Sequence, residues 1–157
     1  MRISGRAPAL VLVIALLAAG CKKDDEPAGP IEGAPPAELV GTWRMSSATV
    51  DGQPADLAEI LQWADNSVSA EFSVQTSGLY TYRESDAQGV PTFLAAGTIT
   101  VSENNFTISV TTANGTPIPA QKQSGTWEIV GGELRLTTVQ EIGGSSATVV
   151  VVCIKQA

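Results

Sequence analysis

The residues of this chain that could take part in covalent chemistry are few, because it contains no histidine and only two cysteines, Cys21 and Cys153. Without imidazole, neither a Ser-His-Asp nor a Cys-His nucleophile system can be assembled, and imidazole metal sites are excluded. The carboxylates are dispersed, with no close pair on one face of a predicted element, and CxxC, calcium-loop and phosphate-loop motifs do not occur. We therefore predict that the protein is not an enzyme and uses no metal or cofactor.

Cys21 lies at an abrupt boundary, in LLAAGCKKDDE, between an apolar run and a run of charges. Arg2 and Arg6 precede the apolar run PALVLVIALLAAG, which is typical of a secretory signal and short for a transmembrane helix of about 20 residues. The small residues AAG before the cysteine resemble the lipobox of bacterial lipoproteins, whose cysteine receives a diacylglycerol and becomes the acylated N-terminus. The resemblance implies a signal peptide over residues 1–20, lipid attachment (palmitate among the acyl chains) at Cys21 and a place in the bacterial cell envelope.

Residues 22–37 (KKDDEPAGPIEGAPPA) combine charge, proline and glycine without apolar periodicity, which is typical of a disordered spacer. We expect the lipidated cysteine and this acidic tether to span 21–37 and one folded domain to span 38–157. The outer membrane is the favoured membrane, with the periplasmic or surface side left open. Cys153 lies in the apolar run VVVVCIK, so we expect a buried, inert thiol.

The charge balance excludes one class of partner. The formal net charge is −7, and the signal peptide contributes two arginines and no carboxylate. A surface with this excess of negative charge repels phosphate backbones, so we predict no nucleic-acid partner.

Period-two alternation dominates the chain from Leu39 onward. SVSAEFSVQT and NFTISVTT alternate apolar and polar residues, and further candidate strands are separated by turn signals such as Asp51-Gly52, Asn114-Gly115 and Gly143-Gly144. About eight short strands at regular spacing predict an all-β fold, an antiparallel up-and-down barrel or a sandwich.

Two segments depart from this alternation. The stretch Pro54–Asn66 places apolar residues on one stripe and predicts a single short helix after the first strand, about ten residues long. The last strand, around Ala147–Ile154, is apolar on both faces, which predicts that its outer face is covered by this helix or by a partner subunit.

The stretch ELVGTWRMSSATVDG, with Gly41 and Trp43, is similar to the opening of lipocalin-like domains, in which a Gly-x-Trp begins the first strand and the tryptophan closes the barrel floor. SGLYTYR, AAGTITVSENNFTISV and SGTWEIVGGELRLTT resemble later hairpins of the small lipocalin-like lipoproteins of bacteria. The resemblance covers Leu39 to about Ile154 and implies a barrel of about eight strands. The Thr-Asp-Tyr signature of typical lipocalins is missing, and Arg135 is our candidate for the arginine that packs over the floor tryptophan.

Alternation also predicts which side chains face the interior of such a barrel. Tyr80, Tyr82 and Glu84 share one face, either at a rim or half-buried at the surface. An eight-stranded barrel is either filled by side chains or holds one small ligand, and the sequence leaves both open. The predicted inward set includes Val68, Ile99, Ile108, Leu134 and Leu136, together with the candidate ligand-binding residues Trp43, Met45, Phe72, Val74, Phe93, Phe106 and Trp127.

Two functions are consistent with these features. The first is a membrane-anchored barrel that binds or carries a small apolar molecule in the envelope. The second is a filled barrel that binds or inhibits another envelope protein through its surface.

Overall fold

A computed structural model describes residues 33–61 and 63–157. The predicted signal peptide, Cys21 and most of the tether lie outside the described residues. Within them, no helix is long and apolar enough to cross a membrane. The elements in chain order are β1 (Gly41–Val50), β2 (Gln53–Ala55), α1 (Leu57–Leu61), β3 (Ser69–Val74), β4 (Leu79–Ser85), β5 (Pro91–Ser102), β6 (Asn105–Ala113), β7 (Thr116–Val130), β8 (Glu133–Ile142) and β9 (Ser145–Lys155).

Eight of these strands form a closed antiparallel barrel. Each strand from β3 to β9 pairs with its sequence neighbour, and β1 closes the barrel by pairing with β3 on one side and β9 on the other. The short β2 forms a hairpin with the end of β1 and pairs with no other described strand. The predicted all-β, up-and-down barrel with one short helix after the first strand is confirmed.

Tight turns connect most neighbouring strands. At Asp51-Gly52 and Asn114-Gly115 both turn residues have positive φ, between 47° and 79°. This is the backbone of type I′ hairpin turns, whose twist matches that of the strands they join. The turn signals in the sequence therefore mark true strand ends.

The helix has five residues, fewer than predicted, and it does not cover the outer face of β9. Residues 53–55, including Pro54, form β2, where an edge strand tolerates the missing proline N–H. The helix therefore begins only at Leu57, and the Asp56 side chain caps it by accepting a hydrogen bond from Ala58 N at 2.9 Å. Leu61 is fully buried in the core cluster. The helix stripe thus packs into the core, while Val150 and Val152 on the outer face of β9 stay partly exposed.

One end of the barrel is sealed around Trp43, and we call this end the floor. The indole is 1% exposed and donates its N–H to Leu39 O at 2.9 Å. The cation over its ring is Lys155, with Nζ 5.2 Å from the ring centroid. Arg135, the candidate predicted for this role, lies instead on the outer face, where its Nη1 is 3.9 Å from Glu128 Oε1.

Part of the predicted tether belongs to the floor. The carbonyl oxygen of Gly33 accepts a hydrogen bond from Val101 N at 3.2 Å, and Pro35 is buried. The folded unit therefore extends to Gly33. Residues 33–157 contain every strand of the closed barrel and bury one shared core cluster, so this segment, the barrel domain, is a self-contained folding unit.

Gly97 marks a close approach of two strands in the barrel wall. A Cβ built on it would lie 1.9 Å from the backbone oxygen of Ser109 on β6. Because this neighbour is backbone and not the end of a flexible side chain, it cannot move aside without distorting the strand pair. We expect Gly97→Ala to lower the free energy of unfolding by about 3 kcal/mol. The exposed neighbour Thr98→Ala, as a control, should change it by less than about 1 kcal/mol. Urea unfolding of both variants checks this, and a fully stable Gly97→Ala would contradict the β5–β6 register.

Candidate functional site

The candidate ligand-binding residues divide into two groups by their surroundings. Five are buried in the tightly packed part of the interior, each with an exposure of 8% or less: Trp43, Met45, Phe72, Val74 and Phe106. Phe93 and Trp127 are only partly buried against this core. The remaining predicted inward residues also lie in or against the core, with one exception. Val68 is 59% exposed because β3 begins one residue later, at Ser69, so the alternation does not reach it.

Tyr80, Tyr82 and Glu84 on β4 all face the interior and are fully buried, at 3% exposure or less. Their full burial is not what the sequence predicts, since alternation alone placed them either at a rim or half-buried at the surface. Tyr80 packs against Phe72 with ring centroids 5.8 Å apart, and Tyr82 against Phe93 at 6.2 Å. This half of the barrel is therefore filled by aromatic side chains.

Glu84 is a buried carboxylate whose hydrogen-bonding capacity is satisfied within the protein. Its Oε1 accepts from Tyr82 Oη at 3.0 Å, and its Oε2 accepts from Ala64 N at 2.9 Å and Ser67 Oγ at 2.8 Å. Since the Ser67 proton is used here, Thr92 Oγ1 must donate the 2.6 Å hydrogen bond that joins it to Ser67 Oγ. Glu84 thereby attaches the segment after α1 to the barrel wall, at the end opposite the floor.

The wall is interrupted between β7 and β8. The two strands pair only from Thr126 to Val130 on β7, although β7 begins at Thr116 and β8 continues to Ile142. Beyond the paired region, β7 is paired only with β6 and β8 is paired only with β9 among the described strands. The barrel therefore has a lateral opening on this side.

Four uncharged polar side chains line this opening, which we call the β7–β8 gap. Gln121 and Gln123 are paired with the buried Val110 and Ile108 on β6, and Thr138 and Gln140 are paired with the buried Val149 and Ala147 on β9. Directly paired residues point to the same side of a sheet, so all four face the interior. The three glutamines are nevertheless partly exposed, as is the inward-facing Leu136. Water therefore reaches the interior on this side.

Two recesses formed by described residues lie outside the barrel. One, of about 450 Å³, lies on the outer face of β3–β5 and contains the Arg83–Glu71 ion pair, with N and O 2.8 Å apart. The other, of about 430 Å³, lies where β1 separates from β3 and is lined by Arg44, Leu57 and Trp63, among others. The Trp63 indole N–H is buried and has no hydrogen-bond partner among the described residues. No group of three potential metal ligands occurs in the part of the chain that the structure describes.

Burial also suppresses ionisation in the core. It raises the pKa of the Cys153 thiol to about 12 and, together with the neighbouring Cys153, raises the pKa of Tyr80. Burial and then the neighbouring Glu84 carboxylate raise the pKa of Tyr82. Cys153 is fully buried and therefore unreactive as a thiolate at neutral pH, as predicted.

These raised pKa values predict alkaline instability. Above the ordinary pKa of cysteine the unfolded chain releases protons that the native state retains, so the stabilisation is complete below about pH 8.5 and is lost as the pH rises towards 12. Each such group contributes a slope of up to roughly 1.4 kcal/mol per pH unit. Urea unfolding of the barrel domain between pH 8 and pH 10.5 should show this fall, and Cys153→Ala should make it shallower. An equal slope in both proteins would contradict the assignment to Cys153.

The comparison with protein families agrees with this architecture. A family model described as a lipocalin-like domain matches residues 39–155. Zebrafish ileal bile acid-binding protein, solved in complex with cholic acid, is 17% identical over 76% of this chain and 100% of that chain, with a TM-score of 0.41. A mutant of transferrin-binding protein B from Haemophilus parasuis is 17% identical over 76% of this chain and 27% of that chain, with a TM-score of 0.37. No curated protein sequence matches the chain significantly.

Proposed function

Since this chain belongs to the lipocalin-like domain family, we propose that it binds or carries a small apolar molecule inside its barrel. The observation that carries this proposal is the contrast between the two halves of the interior. Most inward-facing side chains of β1, β3, β4 and β9 are buried, whereas Leu136 and the glutamines of the β7–β8 gap are partly exposed and border space that solvent reaches. An apolar pocket with a few polar groups is the usual form of a small-molecule site.

The accessible half supplies the chemistry that such a site needs. Leu136 and Ile118 are apolar side chains packed against the core yet only partly buried, so an apolar ligand would remove their remaining surface from water. The gap supplies an entry route that requires no opening of the floor. We propose binding and no catalysis, because the buried carboxylate of Glu84 and the buried thiol of Cys153 are both held in non-reactive surroundings.

Two matched tryptophan substitutions on β8 test the proposal. Leu136→Trp fills the accessible interior and should weaken the binding of a fluorescent apolar dye by the barrel domain at least roughly tenfold. Val139→Trp adds the same side chain to the outer face, where residue 139 is 71% exposed, and should leave dye affinity unchanged. The readout is a fluorescence titration, with circular dichroism to verify folding. An unmodified protein that leaves the dye unbound, or equal affinity in both variants, would contradict interior binding.

For the N-terminal region we propose that Cys21 is lipidated and anchors the barrel to the bacterial envelope, with the outer membrane as the favoured site. The support is the order of positive residues, apolar run, small residues and cysteine in residues 2–21. Two or more acyl chains provide stable anchoring. In a bacterial host, incorporation of labelled palmitate should be lost in Cys21→Ala and retained in Cys153→Ala. Labelling that survives Cys21→Ala would refute the anchor.

A second candidate function is recognition of another envelope protein. The outer face of β8 and β9 exposes Val139 (71%) and Ile154 (48%), with the partly exposed Val150 and Val152 on the same face. Exposed apolar patches of this kind mark interaction surfaces. Cross-linking in envelopes should then capture a partner that Val139→Lys releases, and a barrel domain that is strictly monomeric with no captured partner counts against this function.

A further inference from the structure

We propose that the ligand of the barrel is an uncharged amphiphile, whose hydroxyl or amide group is bound at the β7–β8 gap while its apolar part enters the barrel. This inference rests on the proposed function and specifies the chemical class of the ligand. Three features of the described residues carry it: the charge of the interior, the composition of the gap, and the free hydrogen-bonding capacity found there.

The interior disfavours an anionic ligand. Above the floor, the inward-facing positions of the described strands carry one charged side chain, the Glu84 carboxylate, which is 1% exposed. The arginines of the barrel wall do not offset it, since Arg44, Arg83 and Arg135 alternate with the inward-facing Trp43, Tyr82 and Leu134 and so lie on the outer face. A carboxylate or phosphate inside the barrel would lose its hydration with no cation to compensate.

The interior disfavours a cationic ligand as well. The Glu84 carboxylate would be its natural counter-ion, but both oxygens already accept hydrogen bonds, from Tyr82, Ala64 and Ser67. Glu84 is also separated from the gap in the barrel, because it lies on β4 whereas the gap lies between β7 and β8. A buried cation at the gap would therefore be unpaired, which is costly.

The gap itself has the groups that an uncharged polar head requires. Amide side chains both donate and accept hydrogen bonds, so they match a hydroxyl or amide in either role. Gln140 Nε2 donates to Thr138 Oγ1 at 3.0 Å and Gln121 Nε2 donates to Pro119 O at 3.2 Å, which leaves their carbonyl oxygens as acceptors. The Gln123 side chain makes no hydrogen bond to any residue that the structure describes. Its donors and acceptor are thus available at the opening.

A matched pair of ligands tests this class directly. Dodecanol and dodecanoate have the same number of carbon atoms and differ in the head group, which is ionised in the acid at pH 8. In competition with the apolar dye, the barrel domain should bind the alcohol at least roughly tenfold more tightly than the carboxylate.

Substitutions in the gap should then change this preference. Gln123→Leu should weaken alcohol binding by roughly two- to tenfold through the loss of a hydrogen bond, whereas Gln75→Leu, in the β3–β4 turn at the floor end, should not. Gln140→Lys places a cation at the gap and should shift the preference towards the carboxylate. Because this outcome is a change of preference and not a loss of binding, misfolding of the variant cannot produce it. Dye binding with equal or tighter affinity for the carboxylate would overturn the uncharged class and leave the proposed function intact. Failure to bind dye, alcohol and carboxylate alike would overturn both.

Discussion

Trp43→Ala should be among the most destabilising single substitutions in the barrel, lowering the free energy of unfolding by about 3–5 kcal/mol. The side chain is 1% exposed, faces Phe72 and Lys155 across its two neighbouring strands, and seals the floor. Its removal leaves a cavity at the point where β1 joins β3 and β9, and these junctions close the barrel. Urea unfolding monitored by circular dichroism measures the effect.

Two controls separate packing from hydrogen bonding at the floor. Trp43→Phe retains most of the apolar volume but loses the 2.9 Å hydrogen bond to Leu39 O, and should cost only about 1–2 kcal/mol. Trp127, which like Trp43 follows a Gly-Thr pair in the sequence, donates to Glu103 O at 3.1 Å but is only partly buried. Trp127→Ala should therefore cost clearly less than Trp43→Ala. A larger loss of unfolding free energy in Trp127→Ala than in Trp43→Ala would show that the floor is not the principal closure of the barrel.

Glu84→Ala should destabilise the barrel by about 3 kcal/mol, because it leaves three donors without their acceptor in a buried site. Those donors are Tyr82 Oη, Ala64 N and Ser67 Oγ, and two of them belong to the segment that follows α1. Glu84→Gln retains the shape and one acceptor oxygen, so about half of this loss is expected. Hydrogen exchange at the Ala64 amide should accelerate in both variants more than exchange in the strands does.

The control for Glu84 is Glu71 on the adjacent strand. Its carboxylate pairs with Arg83 at 2.8 Å on the outer face, where the two side chains are 30% and 45% exposed. An exposed ion pair of this kind contributes less than about 1 kcal/mol, so Glu71→Ala should be nearly neutral. If Glu71→Ala and Glu84→Ala had equal effects, or if Ala64 exchange were unchanged, Glu84 would not be the attachment point of this segment.

Much of the barrel is predictable from local pattern. The pleat alternates side chains with period two, so the alternation in SVSAEFSVQT and NFTISVTT correctly assigns Phe72, Val74 and Phe106 to the interior. Glycine turns correctly mark the ends of the hairpins because their positive φ is a local requirement. The prediction is wrong at Val68 and at the start of the helix, where the position of a strand end depends on its partner: residues 53–55 are drawn into β2 by the end of β1.

The features that shape the candidate site depend on non-local contacts and are not visible in the sequence. Glu84 is recognisable as the attachment point of the segment after α1 only once Ala64 and Ser67 are placed against it, since the pattern of β4 alone is equally consistent with a half-exposed strand. The β7–β8 gap lies where β7 before Thr126 and β8 after Thr137 are no longer paired with each other, and this part of β7 (TPIPAQKQS) lacks apolar alternation. That weak alternation is the one sequence signal that could have located the gap.

The most direct test of the account is native mass spectrometry of the barrel domain, purified under mild conditions without detergent. We predict an additional non-covalent mass that is lost on denaturation and is reduced by Leu136→Trp but not by Val139→Trp. The released compound should be uncharged and amphiphilic. A mass equal to the bare chain, even after incubation with dodecanol, would contradict interior binding and would favour recognition of a protein by the outer face of β8 and β9.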